Sequence, residues 1–157
     1  MAKKDRKILQ HVQVVARLAR TALAAKLLEK KLYAGQDQLM LALAAGDGQT
    51  PGALASEIGV RPPTATKTIS RLQAQGFVDK RNSETDARQA HIFLTDAGRE
   101  VIVGIEKSIR KTEKYALQGL DKKDAKALSK LLRKIEGNLT KELPDGDVAN
   151  DVDDGEA

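Results

Sequence analysis

The middle of this chain is cut into short pieces by residues that the interior of a helix does not tolerate. Pro51, Pro62 and Pro63 lack a backbone N–H and fit only a first helical turn, while Gly59 and Gly76 stand where helical patterns run out. Thr50-Pro51 opens a short helix that ends near Ile58-Gly59, with the threonine hydroxyl placed to cap free amides. After a turn through Val60-Arg61, a second helix runs from about Pro63 to Gln75 and carries Ala65, Ile69 and Leu72 on one face. Phe77-Val78 then begins an extended segment, the polar run Asn82 to Asp86 reads as a turn, and Ala90 to Leu94 returns as a strand. Helix, turn, helix and hairpin in that order form a winged helix-turn-helix, a DNA-reading arrangement.

The flanks are helical. From Asp5 to about Lys31, Ile8, Val12, Val15, Ala19 and Ala22 recur at steps of four and three, and Gln36 to Ala45 reads as a short helix closed by Gly46-Asp47-Gly48. Thr95 caps a long helix with the stripe Val101, Ile102, Ile105 and Ile109, and Asp121 caps a last one with Ala125, Leu128, Leu132, Ile135 and Leu139. A three-four seam suits a helix–helix interface, so the first and last helices are expected to meet a second subunit, with packing inside one chain as the alternative. The expected class is mainly α with a small two- or three-stranded β wing, a winged helix-turn-helix between dimerisation helices. Residues 1–34 form the N-terminal dimerisation helix, 35–99 the DNA-binding domain, 100–142 the C-terminal dimerisation helices and 143–157 an acidic disordered tail.

Charge sharpens this reading. Six of the 22 acids (Asp145, Asp147, Asp151, Asp153, Asp154 and Glu156) lie in the tail beside no base. Residues 1–144 therefore hold all 27 bases against the remaining 16 acids, a net +11, as a phosphate-binding surface requires. With Ala65, Ile69 and Leu72 inward, the helical period turns Pro63, Thr66, Lys67, Ser70 and Arg71 outward, with Thr64 in the first turn, on a face without an acid. Hydroxyls there can bond base edges or phosphates, Lys67 and Arg71 can reach guanine or the backbone, and free amides at the helix start attract phosphate. The wing offers Lys80, Arg81 and Arg88, an arginine near a hairpin tip being suited to the minor groove. Asp86 would repel phosphate, so it is read as bracing the tip by capping the turn and pairing with an arginine.

Three stretches carry a more specific pattern: Gly76-Phe77-Val78-Asp79-Lys80-Arg81, Asp86-Ala87-Arg88, and Leu94-Thr95-Asp96-Ala97-Gly98-Arg99. With Ala53 to Val60 upstream, they resemble the MarR family of bacterial regulators, over nearly the whole chain to about Leu139. The resemblance implies a triangular dimer held by its terminal helices, a pseudo-palindromic operator and, usually, repression. It also implies Arg88 as the wing arginine and Thr64 to Arg71 as the recognition helix. In many members a small aromatic or anionic ligand, bound between the dimer helices and the DNA-reading lobe, releases the DNA. The chain departs from the family pattern at Tyr33-Ala34-Gly35 and at Arg61-Pro62-Pro63, where a capping hydroxyl is usual.

The absence of cysteine excludes disulfides, thiolate metal sites, cysteine nucleophiles and thiol redox sensing. His11 and His91 lack clustered carboxylates, so no metal is expected, and no cofactor either. No phosphate loop, nucleophile elbow or catalytic triad signature occurs, so the chain does not read as an enzyme. Aromatic residues make up 3% of the chain, too few for single-strand stacking platforms. No signal-peptide or membrane-spanning stretch is read, which makes the cytoplasm the expected compartment. Two alternatives remain: a non-specific architectural DNA binder, and a winged-helix adaptor that binds protein.

Overall fold

A computed structural model describes residues 7–86 and 88–143. The acidic tail, expected to be disordered, and the start expected for the first helix at Asp5 lie outside the described residues. The chain forms α1 (Ile8–Leu28), α2 (Gln36–Ala45), α3 (Pro51–Ile58), α4 (Pro62–Ala74), β1 (Val78–Asn82), β2 (Ala90–Leu94), α5 (Asp96–Ala116) and α6 (Lys122–Glu142). This is the mainly helical fold with a β wing that the sequence predicts. Among the described residues no helix is long and apolar enough to cross a membrane.

The wing is a two-stranded antiparallel sheet in which Val78 faces Leu94 and Asn82 faces Ala90. Gln49 adds one isolated bridge, accepting the Ile92 N–H at 2.8 Å, while the Gly48 N–H donates to the Ile92 carbonyl at 2.9 Å. The third strand is therefore a single bridge. Gly48 permits it twice over: its φ is +76°, and a Cβ there would come within 2.8 Å of Phe93 Cε1.

One apolar core joins α2 through Leu39, Met40 and Leu43 to Leu54 of α3, Ile69 and Leu72 of α4, Val78 and Ile92 of the sheet, and Ile102 and Ile105 of α5. The caps fall where the sequence puts them. Thr50 accepts the Ala53 N–H at 3.2 Å, Thr95 that of Gly98 at 3.0 Å, and Asp121 that of Asp124 at 2.8 Å. Thr95 also donates to the Gly76 carbonyl at 2.7 Å, locking the start of α5 to the end of the α4–β1 turn. Gly98 is required in the same corner, because a Cβ there would fall inside the van der Waals shell of the Phe77 carbonyl oxygen.

The first helix turns Leu23 and Leu27 to the core and not the seam read from its spacing. Leu27 is buried and Leu23 packs on the core, whereas Ile8 and Val15 of the expected stripe are 54% and 60% exposed. The stem of Lys30 lies across Gly104 of α5, whose missing side chain admits it. The seam read from the sequence is thus left open on the outside of α1. The last helix has no buried residue: Leu128, Leu132 and Leu139 are 40%, 43% and 50% exposed.

Candidate nucleic-acid interface

The second helix of the helix-turn-helix is held from below and bare above. Ala65, Ile69 and Leu72 are between 0% and 3% exposed, while Thr64, Thr66, Lys67, Ser70 and Arg71 all lie on the exposed side. Gly59, with φ +69°, ends α3 and lets the Val60 N–H reach back to the Ala55 carbonyl at 3.0 Å, which aims the chain into α4. No acid lies on α4. Lys67, Ser70 and Arg71 make no side-chain hydrogen bond or ion pair among the described residues, so their polar groups are available to a partner.

Two details change the chemistry expected of this face. Pro62 and Pro63 occupy the first two helical positions and carry no N–H, so of the first three residues only Thr64 offers an amide to an anion. The helix start is a much weaker phosphate cradle than a helix of ordinary sequence would provide. The Thr66 hydroxyl donates to the Pro62 carbonyl at 3.0 Å, and that of Thr68 to the Thr64 carbonyl at 3.0 Å. Thr66 therefore turns acceptor lone pairs, rather than a proton, toward a partner.

The wing bases part company. The register puts Lys80 opposite Ile92 and Arg81 opposite His91, so the pleat sends Lys80 to the face of Val78 and Ile92 and Arg81 to the other. The Arg81 guanidinium lies 4.6 Å from the centroid of the Phe93 ring, which holds it against the sheet. His91 is fixed on the same face, Nδ1 lying 3.0 Å from the Gly48 carbonyl, a bond in which the ring nitrogen must donate. At the tip, the Asp86 carboxylate accepts the backbone N–H of Arg88 at 2.9 Å, and Gln89 donates to the Asp86 carbonyl at 3.0 Å. Asp86 thus caps the turn through the backbone. No pairing of its carboxylate with an arginine guanidinium occurs among the described residues, and the Arg88 side chain stands exposed.

The model of the MarR family matches residues 36–89, from the start of α2 to the wing tip. A MarR protein from Peptoclostridium difficile shares 26% identity, with 90% of this chain and 94% of that chain covered and a TM-score of 0.80. A cysteine-to-serine mutant of MarR from E. coli, complexed with operator DNA, shares 18% identity, covering 86% and 99%, with a TM-score of 0.74. BpsR of Bordetella bronchiseptica, whose DNA binding is regulated by 6-hydroxynicotinic acid, shares 18% identity, covering 83% and 98%, with a TM-score of 0.75. Over the α2-to-wing segment the chain is thus similar to the MarR family.

The sequence missed how the wing is anchored. Asp47 stands in a turn between two glycines, where it reads as turn chemistry alone. Its carboxylate instead accepts the Leu94 N–H at 2.9 Å through Oδ1 and Arg99 Nη2 at 3.0 Å through Oδ2, fastening the α2–α3 loop to the end of β2 and the start of α5. The only local signal was an acid flanked by glycines, and its partners lie about fifty residues away. Among the described residues there is no cluster of His, Cys, Asp and Glu that would hold a metal ion.

Proposed function

We propose that this chain is a cytoplasmic, dimeric, sequence-specific repressor of transcription that binds a pseudo-palindromic operator and is released by a small aromatic or anionic effector. The observation that carries the reading is the acid-free outer face of α4, exposed along its length and backed by a fixed apolar underside. In this reading α4 enters the major groove. Lys67 and Arg71 are suited to guanine edges or phosphates, and Ser70 and Thr64 to either. Thr66, its proton committed to Pro62, favours an exocyclic amine of adenine or cytosine. Arg88 enters the flanking minor groove on a tip braced by Asp86, and Lys80 contacts the backbone. Arg81, held on Phe93, serves more through its fixed charge than by reaching.

Dimerisation is supported by the apolar residues that α1 and α6 leave open; in this reading residues 1–34 and 100–142 act as dimerisation arms and 35–99 as the DNA-binding segment. The two-fold axis would set the two recognition helices about one DNA turn apart. An effector that favours a different separation would release the operator; regulation of BpsR by 6-hydroxynicotinic acid gives the chemical class to try first.

The test is titration of the purified protein against DNA from its own upstream region and against scrambled DNA, at several salt concentrations. The reading expects a preference of ~10³ or more that survives physiological salt. Equal, salt-labile binding would instead mark a non-specific architectural protein.

A further inference from the structure

The end of the recognition helix is tied to the junction between α1 and α2 by a chain of side-chain amides. Gln36, 2% exposed at the start of α2, uses both ends of its amide. Its Oε1 accepts the Tyr33 N–H at 3.0 Å, and its Nε2 donates to Gln75 Oε1 at 2.9 Å. Gln75, which closes α4, donates in turn from Nε2 to the Lys31 carbonyl at 2.7 Å. The order of atoms is self-consistent: turning either amide over would set donor against donor or acceptor against acceptor.

The far end of this chain is a strained residue. Lys31 has φ +59°, the only positive φ outside glycine among the described residues. It stands where α1 turns off, with the Leu32 N–H reaching back to the Leu27 carbonyl at 3.1 Å, a position that helices usually give to glycine. The apolar contacts of Ile69 and Leu72 seat the underside of α4 on the core. Hydrogen bonds are directional. To the packing of Ile69 and Leu72 the amide chain adds a directional tie between the end of α4 and the junction of α1 and α2.

We propose that Gln75, acting through Gln36 and the Lys31 carbonyl, is a positioning residue that sets the separation of the two recognition helices and so the half-site spacing the protein accepts. This rests on the dimeric, operator-binding reading given above. Both Gln75 and Lys31 reach solvent, so the link can open without unfolding the core.

The experiment compares the full chain with Gln75→Glu, which keeps the shape and the acceptor for Gln36 but sets a carboxylate oxygen against the Lys31 carbonyl. Gln36→Glu, breaking the middle bond, is the second variant, and Gln75→Met replaces Gln75→Glu should that variant fail to fold. The probes are a duplex selected by the wild type from a random pool, the same half-sites moved one base pair closer or farther apart, and a single half-site. Gln75→Glu is expected to lose roughly tenfold on the selected duplex and to keep its affinity for the single half-site, so that the spacing preference flattens. Combining it with Gln36→Glu should add little. The chain lacks cysteine, so a spin label at Gln73→Cys reports the distance between the two α4 helices directly, and its distribution should broaden in Gln75→Glu. An unchanged spacing preference and distribution would overturn the proposal alone. So would an equal loss on every duplex that follows a lower Tm, since that marks a merely structural residue. A wild type that selects no duplex, or shows no spacing preference, would overturn the dimeric reading and this proposal with it.

Discussion

The two long C-terminal helices start from the same design and end in opposite environments. Each has 21 residues, each is capped by a side chain at its start, and each carries an apolar stripe. Yet α5 buries Gly98, Ile102, Ile105 and Ser108, while α6 buries nothing. An amphipathic pattern announces that a face will leave water; it does not say what will cover it. For α5 the cover is α1, α2 and the sheet. For α6 and the outer seam of α1, in the reading proposed here, it is a second copy of the chain.

Removing a contact from each helix should break this comparison most sharply. Ile105→Ala leaves a cavity in the core and is expected to cost about 4 kcal/mol, at any protein concentration, in urea unfolding. Leu132→Asp on α6 should leave the winged core folded but abolish the dimer, visible as a halved mass in light scattering and a Tm that no longer rises with concentration. A monomeric wild type, or a Leu132→Asp variant that unfolds outright, would contradict the contrast. Next in size is Gly98→Ala, which forces α5 away from Phe77 and should cost about 2 to 3 kcal/mol.

The caps give a finer measure. Thr95→Ala loses both the Gly98 cap and the bond to Gly76, so about 2 kcal/mol of global stability is expected to go. Asp121→Ala loses one cap on an exposed helix, and its cost of about 1 kcal/mol should appear as faster amide exchange in the first turn of α6. Equal global losses would mean that α6 is part of the cooperative core. The smallest effect belongs to Asp37, whose burial raises its carboxyl above the ordinary value of 3.8 despite bonds from the backbone N–H groups of Asp37 and Gln38. A raised folded pKa means that the folded state holds the proton longer than the unfolded one. Stability is therefore lost as pH rises from the unfolded value through the folded one. Asp37→Asn should gain on the wild type across that rise and flatten the pH profile of Tm; a variant that loses ground to the wild type as pH rises would refute the assignment.

Local chemistry was legible in the sequence. The spacing gave α2 and β2 their observed limits, the hydroxyl and carboxylate caps fell at Thr50, Thr95 and Asp121, and the inward trio of α4 was visible from its period. What escaped is what joins distant parts. Gln36 meets Gln75 and Asp47 meets Arg99 across intervals that carry no periodicity. The sequence groups Lys80 with Arg81 because they are neighbours, whereas the pleat of the wing sends them to opposite faces. Lys31 hides its left-handed turn because the residue usual there is glycine. The free amides expected at the start of α4 were cancelled by the same two prolines that made the helix start legible.

The central claim is that the outer face of α4 reads DNA sequence, and it is tested most directly by selection from a random duplex pool with the wild type and with Arg71→Ala. The wild type should enrich an inverted repeat, and Arg71→Ala should lose discrimination at one base pair in each half-site at a cost of about 1 to 3 kcal/mol, with its fold unchanged. A wild-type pool that stays unenriched, or an Arg71→Ala variant that selects the same repeat with the same affinity, would contradict it.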